Sequence, residues 1–266
     1  MKKILSLVLA ATLMLTALFA FTGCAEEDDG VLTCGVTVFD NMNEKDENGN
    51  WTGFESEFAM EVGKLIGMEV KFQEIDWGQK YNELNSGKID CIWNGFTANS
   101  SDNGVERKEL VDFSYTYMLN QQCVVIHKDN AETIKTEADL AGKKAAVEAG
   151  SAGAEYAKEA TGSADNLVTF TAQNSTFMEV KTGKSEIAVV DILLAQNICG
   201  KGDYEDLMIV DTITLDAEYY AVGFKKGSEL TAKVNEAIKT LSENGKLLEL
   251  ATKYGLENSL KVEITD

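Results

Sequence analysis

Residues 53–66 read GFESEFAMEVGKLI, and their spacing predicts an amphipathic helix. Phe58, Val62 and Leu65 recur at helical spacing and form one apolar face. Glu55 falls in the first turn, where an acidic side chain suits the helix dipole. A helix with one apolar face needs a surface to cover, so the flanking segments decide what it packs against.

The flanking segments alternate between strand-like and helix-like patterns. Residues 32–39 (LTCGVTVF) are a β-rich run, and residues 68–75 (MEVKFQEI) alternate like a strand. Residues 80–87 (KYNELNSG) predict a short helix that ends at Gly87, and residues 88–95 (KIDCIWNG) predict a nearly continuous buried strand. This β-α-β-α-β order predicts a parallel sheet covered by helices.

A second α/β unit follows the first. Its predicted strands and helices are, in chain order, KKAAVEAG (143–150), SAGAEYAKEA (151–160), LVTFTA (167–172), STFMEVKTG (175–183), SEIAVVD (185–191), EYYAVGFKKG (218–227), SELTAKVNEAIKTLSENG (228–245) and KLLELATKYG (246–255). No long linker separates the two units, so the sequence predicts an α/β protein with two lobes and a cleft, and motion between the lobes is expected.

The N-terminal segment combines a basic start, an apolar run and a cysteine. Residues 4–21 are apolar apart from Ser6, Thr12 and Thr16, and the run ends at Cys24. One interpretation is a transmembrane helix, and the favoured one is a secretory signal peptide over residues 1–23. Phe-Thr-Gly-Cys at 21–24 resembles a bacterial lipobox, which predicts a lipid-modified Cys24 and a charged tether over residues 24–30.

Composition narrows the function further. The chain has 266 residues and a net charge of −20, which argues against nucleic acid or anionic lipid as a partner. His127 is the single histidine, so histidine-based metal and catalytic sites are not expected, and no cofactor is predicted. An exported chain could pair Cys34, Cys91, Cys123 and Cys199, but the apolar setting of the first three favours buried free thiols.

The residues that follow the predicted strands form a candidate binding site, because ligands of open α/β sheets bind beyond the carboxyl ends of the strands. These residues suit a free α-amino acid. Arg107 and the amides that open a helix at Ser151 and Ala152 suit its carboxylate, and Asp191 suits its ammonium. The set also contains the Gly95 carbonyl and the Thr97 hydroxyl for the ammonium, Asn94 in the same turn, and Trp77 and Phe39 as walls, for which core packing is an equally good explanation.

Four segments together resemble one family. GFESEFAMEVGKLI, IDWGQKYNELNSGKIDCIWNGFTAN, ERKELVDFSYTYM and KLLELATKYG resemble the family 3 extracellular solute-binding proteins, the amino-acid receptors of ABC importers, and Ser56 alone departs from the first motif. The resemblance implies a type II periplasmic-binding-protein-like fold of two α/β lobes joined by two crossing strands. Lobe 1 would comprise residues 31–119 and 222–266, and lobe 2 residues 120–221, with crossings near 120–123 and 215–221.

The resemblance also implies roles for particular residues. Trp77 corresponds to the aromatic lid, Gly95 and Thr97 to the Gly-x-Thr turn, Ser151 and Ala152 to the carboxylate-binding turn, Asp191 to the ammonium-binding acid, and Phe39 to the first-strand aromatic. The family arginine corresponds to Arg107, although a longer loop precedes it here. Val36 argues against a cationic ligand and Glu148 argues for one, so small polar or neutral amino acids are slightly preferred.

The mechanism implied is hinge closure around the ligand, followed by delivery to a permease. The expected protein is a monomeric, lipid-anchored receptor on the extracellular face of the membrane, or in the periplasm if an outer membrane is present. Two alternatives remain open: an enzyme on the same scaffold, similar to cyclohexadienyl dehydratases, with Glu148 as an acid, and an amino-acid sensor module.

Overall fold

A computed structural model describes residues 30–264, so the predicted signal peptide, Cys24 and most of the tether lie outside the described residues. The strands are β1 Val31–Val36, β2 Glu44–Lys45, β3 Trp51–Thr52, β4 Glu69–Glu74, β5 Cys91–Ile92, β6 Ser101–Asp102, β7 Val105–Glu106, β8 Asp112–Phe113, β9 Thr116–His127, β10 Ala145–Glu148, β11 Leu167–Phe170, β12 Ile187–Asp191, β13 Leu207–Ile209, β14 Ala217–Tyr220, β15 Gly223–Phe224 and β16 Leu260–Glu263. The α-helices are α1 Phe54–Ile66, α2 Lys80–Asn85, α3 Arg107–Leu110, α4 Ala152–Thr161, α5 Asn174–Lys181, α6 Ile192–Ile198, α7 Leu230–Glu243 and α8 Lys246–Lys253.

The first sheet has the strand order β4-β1-β5-β15-β8. β1 and β5 are parallel, with Cys34 opposite Cys91. The predicted parallel arrangement is therefore present between β1 and β5, whereas β15 is antiparallel to both β5 and β8, so the sheet as a whole is mixed. The reason is connectivity, because β15 follows β14 in the chain and is not preceded by a crossover helix within this sheet.

The second sheet has the order β11-β10-β12-β9-β13, and β14 and β16 also pair with β9. β10 is parallel to β11 and β12, whereas β9 is antiparallel to β12 and β13. The twelve residues of β9 divide their partners: residues 116–121 pair with β14 and β16, and residues 122–127 pair with β12 and β13. β9 and β14 therefore lie where the crossing strands were expected.

Helix α1 confirms the prediction of a helix over residues 53–66. Phe58 and Val62 are fully buried, and the helix packs against α7 and α8, whereas the prediction that Leu65 belongs to the buried face is wrong, because Leu65 is 49% exposed. Gly53 precedes the helix with φ 102°, and a Cβ at this position would lie 2.4 Å from the Met42 carbonyl oxygen. That oxygen accepts hydrogen bonds from the first amides of the helix, so the glycine permits the chain to enter α1 in close contact with the preceding loop.

The predicted strand over residues 88–95 is shorter than expected, because β5 contains Cys91 and Ile92 alone. The Trp93 amide still donates to the Gly35 carbonyl at 3.1 Å, after which Gly95 adopts a left-handed φ of 54° and turns the chain. The predicted strand over 218–227 is likewise divided into β14 and β15. An apolar run in the sequence therefore predicts which residues are buried, but it does not predict the length of the strand.

Two further observations concern the chain as a whole. The four cysteines of the described region are free, and Cys34, Cys91 and Cys123 are buried, in line with their apolar setting. Between residues 30 and 264, no helix has both the length and the apolar character needed to span a membrane.

Candidate functional site

A small cavity, with about 230 Å³ of empty volume, lies beyond the ends of β5, β10 and β12. Its lining comprises Trp77, Asn94, Gly95, Thr97, Arg107, Gln122, Glu148, Ser151, Ala152, Gln173 and Asp191. Nine of the ten side chains predicted from the sequence are therefore brought to one cavity. Phe39 is the exception: it is buried beneath the turn at Gly95, where its ring leaves no room for a larger residue.

Asp191 ends β12 and directly precedes α6, a position where an aspartate ordinarily caps the helix. Its side chain makes no such cap. Oδ1 instead accepts hydrogen bonds from Asn120 Nδ2 at 2.5 Å and Gln122 Nε2 at 2.7 Å, and Oδ2 accepts one from Gln173 Nε2. The pKa of Asp191 is raised by burial, which these donors partly offset. Its carboxylate is thus held in the cleft by neutral donors, and no cation pairs with it among residues 30–264.

Glu218 is a second carboxylate in the same network, and sequence reasoning missed it. It lies on β14, and its Oε2 accepts hydrogen bonds from the same two amides, Asn120 at 2.8 Å and Gln122 at 2.9 Å. The Thr97 hydroxyl donates to the same oxygen at 3.2 Å. Burial, with Asp191 nearby, raises the pKa of Glu218 to about 7. The ends of β12 and β14 therefore place two acids side by side, and the Asn120 and Gln122 amides of β9 bridge them.

Arg107 begins α3 and is only 1% exposed. Its Nε and Nη2 donate to Asp102 Oδ1 at 3.2 and 2.9 Å, and its Nη1 donates to the Thr97 carbonyl at 3.2 Å. Its Nη2 also donates to the Gly150 carbonyl at 3.3 Å. The longer loop before Arg107 forms the β6–β7 hairpin that carries Asp102, so the extra residues supply the counter-ion that orients the guanidinium.

Lys80 completes this cationic cluster, although a lysine would ordinarily be expected at the surface. It is 2% exposed, and its Nζ donates to the Gly150 carbonyl at 2.8 Å and lies 3.4 Å from Asp102 Oδ2. Burial, together with the positive charge of Arg107, lowers the pKa of Lys80 to about 8. The pKa of Asp102 is lowered despite its burial, because both cations face it.

The turn after β10 presents backbone amides to the cavity. The Ser151 hydroxyl accepts a hydrogen bond from the Ala154 amide at 3.0 Å and so caps α4, while the amide of Ala152 opens the helix. Gly150 has a left-handed φ of 69°, which lets its carbonyl face Lys80. The first-turn amides have no intrahelical acceptor and suit an anionic group.

Beneath the Gly95 turn, Glu55 forms a buried polar network. Its two oxygens accept hydrogen bonds from the Gly95 amide at 2.8 and 3.1 Å, from Asn43 Nδ2 at 2.6 Å and from the Tyr117 hydroxyl. Complete burial raises the pKa of Glu55 to about 7. Glu55, which belongs to the motif of residues 53–66, therefore supports the turn at Gly95 and fixes the direction of the Gly95 carbonyl.

Two hydrogen bonds outside the cavity connect α4 and α5 with distant parts of the chain. Asn174 Nδ2 donates to Asp40 Oδ1 at 3.0 Å, and the Asn103 amide donates to Glu155 Oε1 at 3.3 Å. They therefore link α5 to the loop after β1, and α4 to the β6–β7 hairpin.

The residues missed by sequence reasoning share one property: each is polar or charged and is covered, wholly or partly, by tertiary contacts that a local pattern does not record. They are Lys80, Asp102, Asn120, Gln122, Gln173 and Glu218. A cavity that contains carboxylates, a guanidinium and the first amides of a helix can bind a dipolar solute. No group of acids, cysteines or histidines suited to a metal ion occurs in residues 30–264.

Comparison with known proteins identifies the family and the fold. The family model of the bacterial extracellular solute-binding proteins, family 3, matches residues 32–257. The arginine-binding extracellular protein ArtP of Bacillus subtilis (strain 168) is 29% identical over 261 residues, which cover 96% of this chain and 98% of ArtP. The probable amino-acid-binding protein YxeM of the same organism is 32% identical over 261 residues, which cover 96% of this chain and 95% of YxeM.

A solved structure gives the same result for the fold. An ABC uptake transporter substrate-binding protein from Streptococcus pneumoniae, crystallised with bound histidine, superimposes with a TM-score of 0.76 and is 31% identical. The match covers 87% of this chain and 95% of that chain. The predicted two-lobed α/β fold is confirmed.

Proposed function

The chain belongs to the bacterial extracellular solute-binding proteins, family 3, and we propose that it captures a free α-amino acid between its lobes and delivers it to an ABC permease. The observation that carries the proposal is the polarity of one cavity. The Asp191 carboxylate lines it together with the Arg107 guanidinium and the Ala152 amide. An amino acid has its two charges on neighbouring groups, and burial of either charge without a partner would cost several kcal/mol.

Each end of the ligand has its own set of partners. Asp191 receives the ammonium, with the Gly95 carbonyl and the Thr97 hydroxyl beside it. Arg107 and the amides of Ser151 and Ala152 receive the carboxylate, although the Ser151 amide also donates to the Glu148 carbonyl at 3.2 Å. Trp77, buried against Phe96, and Asn94 close the walls. The amino-acid class is in keeping with the names of ArtP and YxeM.

Closure follows from the location of these groups. We propose that lobe 1 comprises residues 31–119 and 222–266, that lobe 2 comprises residues 120–221, and that β9 and β14 are the hinge. Asp191 and Ala152 then belong to lobe 2, whereas Arg107 and Thr97 belong to lobe 1. A ligand that contacts both lobes favours the closed state through contacts that the open state lacks.

The extracellular placement is that of the family, and the remaining features of the receptor are part of the proposal. Residues 1–23 would be removed as a signal peptide, and Cys24 would carry the lipid that holds the protein at the membrane. The protein would act as a monomer that binds its solute without transforming it. An enzymatic function would rest on Glu148 as an isolated acid, and turnover of prephenate or arogenate is the assay that would reveal it.

The test is a thermal-shift screen of refolded protein against all common amino acids, followed by calorimetry. A ligand at 100 times its dissociation constant stabilises the fold by about 2.7 kcal/mol. D191A and R107A are each expected to abolish binding while the far-UV spectrum stays native. D129A and K108A serve as matched controls, because these side chains are 89% and 70% exposed.

Two outcomes would contradict the proposal. If no amino acid shifts the melting temperature, the ligand class is wrong. If D191A or R107A binds with near-native affinity, that residue does not contact the ligand. Delivery is tested separately, by the ligand-dependent ATPase activity of a permease reconstituted with the wild type and with D191A.

A further inference from the structure

Glu148 is the last residue of β10, and the amino-acid mechanism leaves it without a task. It is 2% exposed, lines the cavity, and its Oε1 has no hydrogen-bond partner among the described residues. A buried carboxylate oxygen without a donor is costly, and such groups are usually matched by a partner. We infer that the ligand's side chain carries a positive charge and that Glu148 receives it. The inference rests on the proposed function and names the class of amino acid.

The nearest candidate for an internal partner is engaged elsewhere. Lys80 is close enough to influence the ionisation of Glu148, but its Nζ donates to the Gly150 carbonyl at 2.8 Å and faces Asp102 at 3.4 Å. No ion pair joins Glu148 to any lysine or arginine in residues 30–264. Gln173 interacts with the Glu148 carboxylate, but Oε1 has no hydrogen-bond partner among the described residues, so this oxygen is available to a group that enters the cavity.

The charges around the cavity point in the same direction. Within residues 30–264, the charged side chains that line it, or that bond to or stack on its lining, are Glu55, Asp102, Glu148, Asp191, Glu218, Lys80 and Arg107. Five are acids and two are bases. Asp102 is matched by both bases, and Glu55 is satisfied by its own donors, which leaves three carboxylates beside the cavity. The α-ammonium of a neutral amino acid offsets one of them and a dibasic amino acid offsets two.

A neutral alternative needs a protonated Glu148 that donates to a carbonyl of the ligand, as in an amide side chain. Burial and the nearby Asp191 raise the pKa of Glu148 well above its ordinary range, so this form is chemically accessible. However, it adds no positive charge to a site that already holds an excess of acids. The geometry thus favours a lysine-like or arginine-like side chain, which departs from the slight preference for neutral ligands based on Val36.

The experiment compares L-arginine, L-lysine and L-glutamine by calorimetry at pH 7 in wild type and in E148Q. The variant keeps the shape of the side chain and removes its charge. Wild type is expected to bind a dibasic amino acid more tightly than glutamine. E148Q is expected to lose roughly 10- to 100-fold of that affinity, the range for a hydrogen bond to a charged group, and so to lose most of the preference for a dibasic amino acid over glutamine. E132Q, which removes a charge at a site 88% exposed, is the matched control.

The outcomes separate the two proposals. If a neutral amino acid binds while arginine and lysine do not, or if E148Q leaves dibasic affinity unchanged, the inference about Glu148 is overturned and the amino-acid proposal stands. If no amino acid binds, the proposed function itself fails. The melting temperature of E148Q without ligand shows whether the variant is folded. It should equal or exceed that of wild type, because a neutral amide is buried more easily than a carboxylate.

Discussion

Glu55 and Glu148 are both buried glutamates close to one cavity, and they differ in their hydrogen-bond partners. Glu55 receives hydrogen bonds on both oxygens from Gly95, Asn43 and Tyr117. Glu148 has an oxygen that no described group satisfies. The first therefore belongs to the scaffold, and the second is open to a ligand. Burial alone does not distinguish a structural carboxylate from a ligand-binding one, whereas the hydrogen-bond partners of each carboxylate do.

Removal of Glu55 is expected to have the largest effect on stability. E55A leaves the Gly95 amide, Asn43 and the Tyr117 hydroxyl without their acceptor in a dry interior, so the free energy of unfolding should fall by roughly 3 kcal/mol or more. Urea denaturation monitored by circular dichroism measures the loss. E148Q is the natural counterpart, since it should change binding and leave stability intact. Equal stability of E55A and wild type would contradict a structural role for Glu55.

The same glutamate predicts how stability varies with pH. The pKa of Glu55 is raised from 4.5 to about 7, so between these values the folded state holds a proton that the unfolded chain has lost. Its contribution to stability therefore falls as the pH rises from about 4.5 to 7 and then levels off. Urea titrations at pH 5 and pH 8 should show the wild type losing about 2 kcal/mol relative to E55A. A constant difference between the two proteins would mean that Glu55 ionises normally.

Asp102 is a third carboxylate of this region, and it differs from Glu55 and Glu148 because cations pair with it. D102N keeps the size of the side chain but removes the charge that pairs with Arg107 and Lys80. The affinity for the amino acid should fall about tenfold, and the free energy of unfolding should fall as well, because two buried cations lose their counter-ion. Calorimetry at low and high salt measures the effect. E106Q, in the same hairpin at a site 57% exposed, is the control. Unchanged affinity in D102N would show that Arg107 is positioned without its counter-ion.

Much of the site was predictable from strand ends, because the carboxyl ends of neighbouring strands meet at one edge of a sheet. That rule leads to Asn94, Ser151 and Asp191 without any knowledge of packing. Asn120, Gln122 and Glu218 were not predictable in the same way, since polar residues within a strand suggest a side that faces solvent. Asn120 and Gln122 are buried only because β9 pairs with β12 and β14.

The hairpin before Arg107 carried a local signal that sequence reasoning did not use. Asn103 and Gly104 both have positive φ, at 51° and 81°, and an Asn-Gly pair between short extended segments is typical of a two-residue β-turn. The turn would have predicted β6 and β7. It would not have predicted that Asp102 reaches Lys80, because that contact depends on the fold as a whole.

The Gly150 carbonyl, which accepts hydrogen bonds from both Lys80 and Arg107, has a consequence for signal fidelity. These bonds are made between protein groups and carry no information about the solute. In the proposed closure they would add a constant bias toward the closed state. This bias would help a weakly bound solute to complete the closure, and it would also let some vacant receptors close. A membrane partner that recognises only the closed shape would not distinguish such vacant receptors from loaded ones. Its response to the solute would then depend on how short the lifetime of the closed, vacant state is.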